Sequence, residues 1–262
     1  MAGSMVYRTR AGSATGANTV LLMSAMEKIQ SRLDNNSFNW VAGLHGRPDW
    51  YCWHHQRNPR FPDTRAQLFL PWHRAYLHQL ELTLQDSEEN AALTYWDWTR
   101  DDEIPESHSR QNVDSKPNPL YRYRMRLAAT AMQSAVNRYT VRRSGMDNFV
   151  RLPTRDEVVR LLEEQDWSRF SDALQGLHDD VHVWVGGDMG NPAFAGFDPV
   201  FYAHHCMIDR VWFLWQQRHG NGNIPPSLLD MKMEPFALTV RDVMDVQSLG
   251  YEYAATATPL PV

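Results

Sequence analysis

Hydrophobic residues recur at helical spacing near the amino terminus and predict two helices there. The apolar positions of the first helix, predicted over residues 24–33, follow one another at intervals of three or four: Met23, Met26, Ile29 and Leu33. A second, shorter helix begins after Ser37, a residue type that caps helix N-termini, and ends at Gly46. Its inner face carries a histidine together with apolar residues: Phe38, Val41, Ala42 and His45.

Two later segments place further histidines on helices. His178 and His182 are four residues apart, so both imidazoles leave one face of a helix predicted to begin near Asp172. Asp198-Pro199 combines an N-capping acid with a proline at the first helical position, and the helix that starts there carries His205. Two facing helices would then direct three neutral imidazoles to one point, which suits a late first-row metal ion.

The middle of the chain has a less regular pattern. Residues 100–120 are polar and contain prolines, which predicts a long loop with a solvated His108. Residues 120–140 are expected to form a helix whose outer face holds Arg122, Arg124 and Arg126 as a solvated surface. Thr154, followed three residues later by Glu157, predicts another helix start.

Composition excludes several functional classes. The chain has 262 residues, a net charge of −5 and 22% charged residues, which gives no reason to expect nucleic acid or an anionic membrane as a partner. The longest apolar runs fall short of the roughly 20 residues of a membrane span, and we see no export signal. Two cysteines exclude a disulfide scaffold. We expect one domain over residues 1–262.

Four motifs together resemble a known family. Asp198-Pro199-Val200-Phe201-Tyr202-Ala203-His204-His205, with Asp209 four residues later, looks like the second copper motif of tyrosinases. Residues 69–77 read FLPWHRAYL, residues 95–98 read YWDW and residues 250–253 read GYEY, and each resembles a segment of the same proteins. The chain is therefore similar to the tyrosinase and catechol oxidase family of type 3 copper proteins, over about half of its length.

The resemblance implies two copper ions, each held by three histidines. The implied ligands are His45, His54 and His73 for the first copper, and His178, His182 and His205 for the second. His55 competes with His54, and the family pattern favours His54 because Cys52-Trp53-His54 resembles the Cys-x-His arrangement in which a thioether joins sulfur to imidazole. A small buried hydrophobic residue is a nearly equal interpretation of Cys52. The family pattern leaves His204 out.

Two residues bear on which reaction the resemblance implies. Family tyrosinases often pair an asparagine after the first ligand of the second copper with an upstream glutamate, and the pair holds a water that deprotonates the phenol. Here Asp179 follows His178, and Gln175 is the nearest upstream candidate. A weakened base favours oxidation of diphenols or o-aminophenols over hydroxylation of monophenols, although Asp179 can itself serve as the base.

Other metal chemistries fit the residues less well. His178 and His182 have the spacing of the HExxH zinc motif, but Asp179 stands where the glutamate base belongs and is one methylene shorter. The predicted set has no carboxylate ligands, which disfavours a di-iron bundle, and no thiolate, which disfavours a blue-copper site.

The resulting hypothesis is a mainly α protein with a four-helix bundle core that holds a binuclear copper site, surrounded by long loops and a few short strands. By resemblance, it oxidises phenols or o-diphenols to o-quinones with dioxygen. The alternative is a hemocyanin-like protein that binds dioxygen without turnover. We expect no C-terminal domain that would shield the site, because nine residues follow the GYEY motif. The sequence does not decide whether a helper protein loads the copper, and it does not assign a cellular compartment.

Overall fold

The computed structural model describes residues 5–52, 64–131, 133–143, 150–255 and 260. Within these ranges the longer helices are α1 (Ala17–Ser31), α2 (Phe38–His45), α3 (Thr64–Gln85), α5 (Arg155–Leu161), α6 (Trp167–Val185) and α7 (Val200–His219). Two helices of four residues each are α4 (Glu106–Ser109) and α8 (Pro226–Leu229). The strands are β1 (Val6–Arg10), β2 (Thr94–Tyr95), β3 (Asn112–Val113), β4 (Lys116–Pro117), β5 (Arg124–Leu127), β6 (Val136–Tyr139) and β7 (Tyr251–Tyr253).

Helices α2, α3, α6 and α7 form the core and carry the histidines of interest. Helix α3 packs against α2, α6 and α7, and α6 packs against α7. Helix α7 is the central element, because its side chains from Val200 to Trp212 are all buried. The prediction of a mainly helical fold with a four-helix core is confirmed.

A small parallel sheet covers one side of this bundle. Strand β1 lies between β2 and β7, with Thr9 opposite Thr94 and Val6 opposite Tyr251. The strand order therefore makes β1, near the amino terminus, and β7, late in the chain, neighbours beside α3 and α7.

Four buried charges connect this sheet to the bundle. The guanidinium of Arg8 donates to both carboxylate oxygens of Glu81, at 3.1 and 2.9 Å, and to Asp209 at 3.1 Å. Arg74 donates to the other oxygen of Asp209 at 2.5 Å and lies 3.5 Å above the ring of Trp212. Because buried charges are tolerated only when they are paired, this network fixes β1 and α3 against α7.

Three hydroxyl contacts complete the network around Asp209. Tyr251 and Tyr253, both on β7, donate to one carboxylate oxygen of Asp209 at 2.7 and 2.5 Å, and the Tyr253 oxygen also lies 3.3 Å from Arg8. The tyrosines of the GYEY motif therefore attach β7 to the helix that carries His205.

The predicted helix over residues 120–140 is wrong. This segment forms β5 and β6, which pair antiparallel with Arg124 opposite Tyr139. Along β5 the residues alternate between exposed and buried, so Arg124 and Arg126 face solvent while Met125 and Leu127 are buried. This period of two is the signature of a strand, and it outweighs the helical preference of arginine.

His108 also departs from the expectation, since it is buried rather than solvated. It lies on α4 within the predicted loop, and burial, assisted by the nearby charge of Arg142, lowers the pKa of its imidazole to about 3. Other differences concern helix bounds: α1 and α6 begin earlier than predicted, at Ala17 and Trp167, and α7 begins at Val200. Of the helices in the described ranges, none combines the length and the hydrophobicity that a membrane span requires.

Candidate metal centre

Four histidines from α6 and α7 form one cluster in the bundle core. The cluster consists of His178, His182, His204 and His205, whose nearest ring nitrogens all lie within 4.8 Å of one another. The Nε2 atom of His205 lies 3.2 Å from that of His178 and 3.3 Å from that of His182. The three histidines predicted for the second copper therefore direct their Nε2 atoms to a common point.

A second cluster lies on α2, α3 and the segment between them. His45 ends α2, His73 lies in the middle of α3, and Cys52 stands in the connection, all three buried. The sulfur of Cys52 is 3.7 Å from Nε2 of His73. His54, predicted as the third ligand here, and its competitor His55 lie outside the described residues.

The two clusters are in contact with each other. The rings of His73 and His205 stack with their centroids 4.3 Å apart, and His45 lies 6.3 Å from His205 by the same measure. Phe69 packs against both His73 and His178 at 4.8 Å, while Phe201 stacks on His205 at 4.0 Å. The clusters thus adjoin within one aromatic-walled core, as a binuclear site requires.

The Nδ1 atoms of three histidines have acceptors that fix the tautomer. Nδ1 of His73 lies 2.8 Å from the carbonyl oxygen of Phe69, and Nδ1 of His182 lies 2.7 Å from that of Met189. Nδ1 of His178 lies 2.9 Å from the carboxylate of Asp179. A proton held on Nδ1 leaves the Nε2 lone pair free to bind a metal ion, which is the usual arrangement around metal-binding histidines.

Burial keeps the central imidazoles neutral. It lowers the pKa of His205 well below its usual range, and the surrounding histidines lower it further. The pKa of His204 is lowered in the same way, by burial first and then by His182 and His73. Neutral nitrogen donors, with no carboxylate in either cluster of the described residues, suit copper in both of its oxidation states. The residues present therefore fit a pair of copper ions.

Asp179 lies beside the second cluster, in contact with His178. Its side chain is 62% exposed, and burial of the remainder, with the adjacent charge of Asp180, raises the pKa of the carboxyl to about 6. Gln175 lies one turn earlier on α6 and is half-buried. It is not among the residues that line the pocket described next, so the structure brings Asp179 but not Gln175 to that pocket.

A cavity of about 270 Å³ leads from the surface to both clusters. His45, His178 and His182 form its floor, and Asp179 is its charged lining residue among those described. The other lining residues are small or apolar: Val183, Met189, Gly190, Pro192 and Ala195. A cavity of this size and polarity accommodates one aromatic ring.

Two residues in these clusters were not part of the predicted ligand set. His204 is fully buried, with its ring stacked on that of His178 at 5.1 Å, although the family pattern excludes it as a ligand. Cys52 adds a sulfur atom to a set that was predicted to have only imidazoles. The sequence signal was adjacency to His205 for His204 and the Cys-x-His spacing to His54 for Cys52, and neither signal by itself distinguishes a neighbour from a donor.

Two acids of the matched motifs, Asp209 and Asp97, do not orient the imidazoles. The carbonyls of Phe69 and Met189 take this role, whereas Asp209 pairs with Arg8 and Arg74 and Asp97 accepts from Thr99.

Residues 35–218 match the family described as the common central domain of tyrosinase. A tyrosinase of Streptomyces glaucescens is 35% identical over 208 residues, which cover 66% of this chain and 73% of that protein. A G-type hemocyanin of Enteroctopus dofleini is 27% identical over 268 residues, covering 89% of this chain but only 9% of that protein's length. The solved structure of an Aspergillus oryzae active tyrosinase superposes with a TM-score of 0.77 at 21% identity, covering 98% of this chain and 94% of that one.

Proposed function

The chain belongs to the family of the common central domain of tyrosinase, whose members hold two copper ions, and we propose that it oxidises phenols and o-diphenols to o-quinones with dioxygen. The observation that carries this proposal is the cavity that reaches His45, His178 and His182 from the surface. An oxidase needs such access, because the phenol oxygen must approach the metal pair.

The proposed ligands are the six histidines predicted from the sequence: His45, His54 and His73 for one copper, and His178, His182 and His205 for the other. When bound, the copper pair would supply the binding and reduction of dioxygen. Overall, each o-diphenol gives up two electrons and two protons, and two diphenols reduce one dioxygen to two water molecules. The protein contributes the fixed ligand geometry and an apolar cavity that holds one ring.

Asp179 is the proposed proton acceptor for the phenol. One of its carboxylate oxygens accepts the Nδ1 proton of His178, and the exposed side chain leaves the other oxygen available at the cavity. A carboxylate that also orients a ligand is a constrained base, which favours diphenols, whose protons are more acidic, over monophenols. Gln175 contributes no contact to the cavity within the described residues, so its proposed catalytic role rests on sequence position alone.

Reversible dioxygen binding without turnover is the second candidate function. The similarity to a hemocyanin over 89% of this chain favours it, since the same histidine arrangement serves carriers. The open cavity favours the oxidase, because the described residues leave the floor histidines reachable by a ring.

An assay with copper-loaded protein distinguishes these functions. We expect quinone formation from 4-methylcatechol with dioxygen consumption, and a slower reaction with the matching monophenol. His178→Ala protein, loaded in the same way, is the control. A reversible absorption change on oxygenation without catechol oxidation would support the carrier instead, and two bound coppers with neither response would contradict both.

A further inference from the structure

A short segment that begins in β6 holds the turn beside His182. We call residues 138–143 the strap. Asp188, which is buried, accepts from both terminal nitrogens of Arg138 at 2.7 Å and from the amide of Val141 at 2.7 Å. The amide of Asp188 donates back to the Val141 carbonyl at 2.8 Å. The carboxylate and the backbone of Asp188 are therefore both fixed on the strap.

The strap is closely packed against the turn at residues 186–189. Gly187 has a φ of +59°, and a Cβ placed there would lie 2.1 Å from the carbonyl oxygen of Val141, so only glycine fits. Met189, the residue after Asp188, provides the carbonyl that lies 2.7 Å from Nδ1 of His182. The orientation of the His182 ring thus depends on a carbonyl one residue away from the strap's anchor.

The other end of the strap holds the start of α7. Arg142 donates through Nε to both carboxylate oxygens of Asp198, at 2.9 and 2.8 Å, and Asp198 is fully buried. The same carboxylate accepts from the amide of Val200, the first residue of α7, at 3.0 Å. His205 follows on this helix, so its position along the core depends on where Asp198 is held.

Arg142 is itself fixed by two backbone carbonyls. It donates to the carbonyl of His108 at 2.6 Å and to that of Leu120 at 3.3 Å. These contacts attach the strap to the segment that follows β2 rather than to the bundle. Residues outside the four helices therefore help to hold the second cluster in position.

The remaining cluster histidines with fixed tautomers are held differently. Nδ1 of His73 is oriented by Phe69 and Nδ1 of His178 by Asp179, each on the histidine's own helix. We infer that Arg138 and Arg142 are positioning residues, which act through Asp188 and Asp198 to set His182 and His205 for the second copper. This inference rests on the proposed ligand set, and it predicts a larger effect at the second copper than at the first, whose ligand His45 is joined to the same turn more remotely, through the Arg47 amide that donates to Ala193 at 3.1 Å.

Arg138→Gln tests the inference, with Arg151→Gln as a matched control. Arg151 makes an equally short bidentate pair with Glu157, at 2.7 and 2.8 Å, at the start of α5. Outer groups that orient metal ligands typically change metal affinity by about 10–100-fold. In a His73→Ala background, where the second site is measured alone, we expect Arg138→Gln to raise the copper dissociation constant by that factor. In a His205→Ala background, which isolates the first site, we expect a clearly smaller change.

Nitrogen NMR of the metal-free protein gives a readout that needs neither copper nor turnover. Arg138→Gln should shift and broaden the Nδ1 resonance of His182 while those of His178 and His73 stay in place. Arg138→Lys, which retains the charge, should restore part of the second-site affinity, and Arg142→Lys should weaken that site without unfolding the chain. Arg151→Gln should match the parent protein in every measurement.

Two results would overturn the inference. The first is that Arg138→Gln leaves both the copper affinity of the second site and the Nδ1 resonance of His182 as they are in the parent protein. The other is an equal loss at both sites, which would show general destabilisation instead of positioning. Because these measurements use copper binding and metal-free protein, they give an answer even if the protein oxidises no phenol.

Discussion

The two halves of the metal centre are supported in different ways. In the first half, the tautomer of His73 is set by Phe69, four residues earlier on the same helix. In the second half, His182 depends on the Met189 carbonyl, which lies beyond the end of α6 in a turn that the strap holds. The first support follows from helix geometry alone, whereas the second requires segments far apart in the chain to fold together.

A buried ion pair links the halves. Arg74, the residue after His73, donates to Asp209, which lies one turn after His205 on α7. Arg8 and the tyrosines of β7 contact the same carboxylate. Each half thus has its own support, and a shared charge network fixes their relative position.

Removing a single proposed copper ligand, in either half, is expected to have the largest effect. His73→Ala and His205→Ala should each lower bound copper from two ions toward one, because each cluster loses a donor at its centre. Catechol oxidation should fall by at least about 10³-fold in both, since a catalytic metal contributes several kcal/mol to the reaction. Copper content per chain and initial rates check this. Two tightly bound coppers in either variant would exclude that histidine as a ligand.

Breaking the link between the halves should destabilise the whole protein. Asp209→Asn leaves the buried guanidinium groups of Arg8 and Arg74 without their shared carboxylate, and losing one partner of a buried ion pair costs about 3–5 kcal/mol. Denaturant unfolding of the metal-free protein measures this loss. Glu81, the other acid of the network, retains its contact with Arg8. We therefore expect the variant to fold, with a lower free energy of unfolding.

The same carboxylate gives a pH dependence with a defined sign. Burial opposes ionisation of Asp209, but Arg74, Arg8 and the hydrogen bond from Tyr253 outweigh it and lower the pKa below its ordinary value of 3.8. The stability that this group contributes is therefore fully present above pH 3.8, and it is lost as the pH falls through the lower pKa of the folded state. The unfolding free energy of Asp209→Asn should vary less with pH in that acidic window. Parallel curves for the two proteins would contradict this account.

Asp179→Asn should affect reactions with monophenol and diphenol unequally. Asparagine retains an acceptor oxygen for Nδ1 of His178 but cannot take a proton from a phenol, and a general base contributes about 10²–10⁴-fold. We expect the monophenol rate to fall by about 10²-fold while the diphenol rate changes by less than about tenfold. Asp172→Asn, at an exposed carboxylate earlier on α6, is the control. Equal losses on both substrates would assign Asp179 to orienting His178 only.

The same contrast between local and distant determinants explains what the sequence could predict. Helix α2, with its Ser37 cap and its end at His45, follows from local pattern, and so do the shared face of His178 and His182 and the capping box at Thr154. The motif resemblance added the histidine set, and five of its six members lie in the two clusters; His54 is outside the described residues.

The supports of the second half could not be predicted in this way. Nothing in the sequence near Arg138 or Arg142 indicates that their partners are Asp188 and Asp198, since each pair is about fifty residues apart. The wrong prediction of a helix over residues 120–140 also hid these contacts. A helix there would not place the strap against the turn after α6. The alternation of Arg124, Met125 and Arg126 between exposed and buried positions is the strand signal in this segment.

The smallest expected effect comes from α5, which packs against the second half. Thr154 caps α5 through a capping box with Glu157, and α5 packs against α6, which carries His178 and His182. Thr154→Ala should lower the unfolding free energy by about 1 kcal/mol, the usual value of an N-cap. Because α6 is positioned mainly by buried residues such as Phe170 and Leu174, we expect copper affinity at both sites to stay unchanged. Calorimetry and copper titration of the variant check both statements, and a selective loss at the second site would show that support for this half extends beyond the strap to the packing of α5.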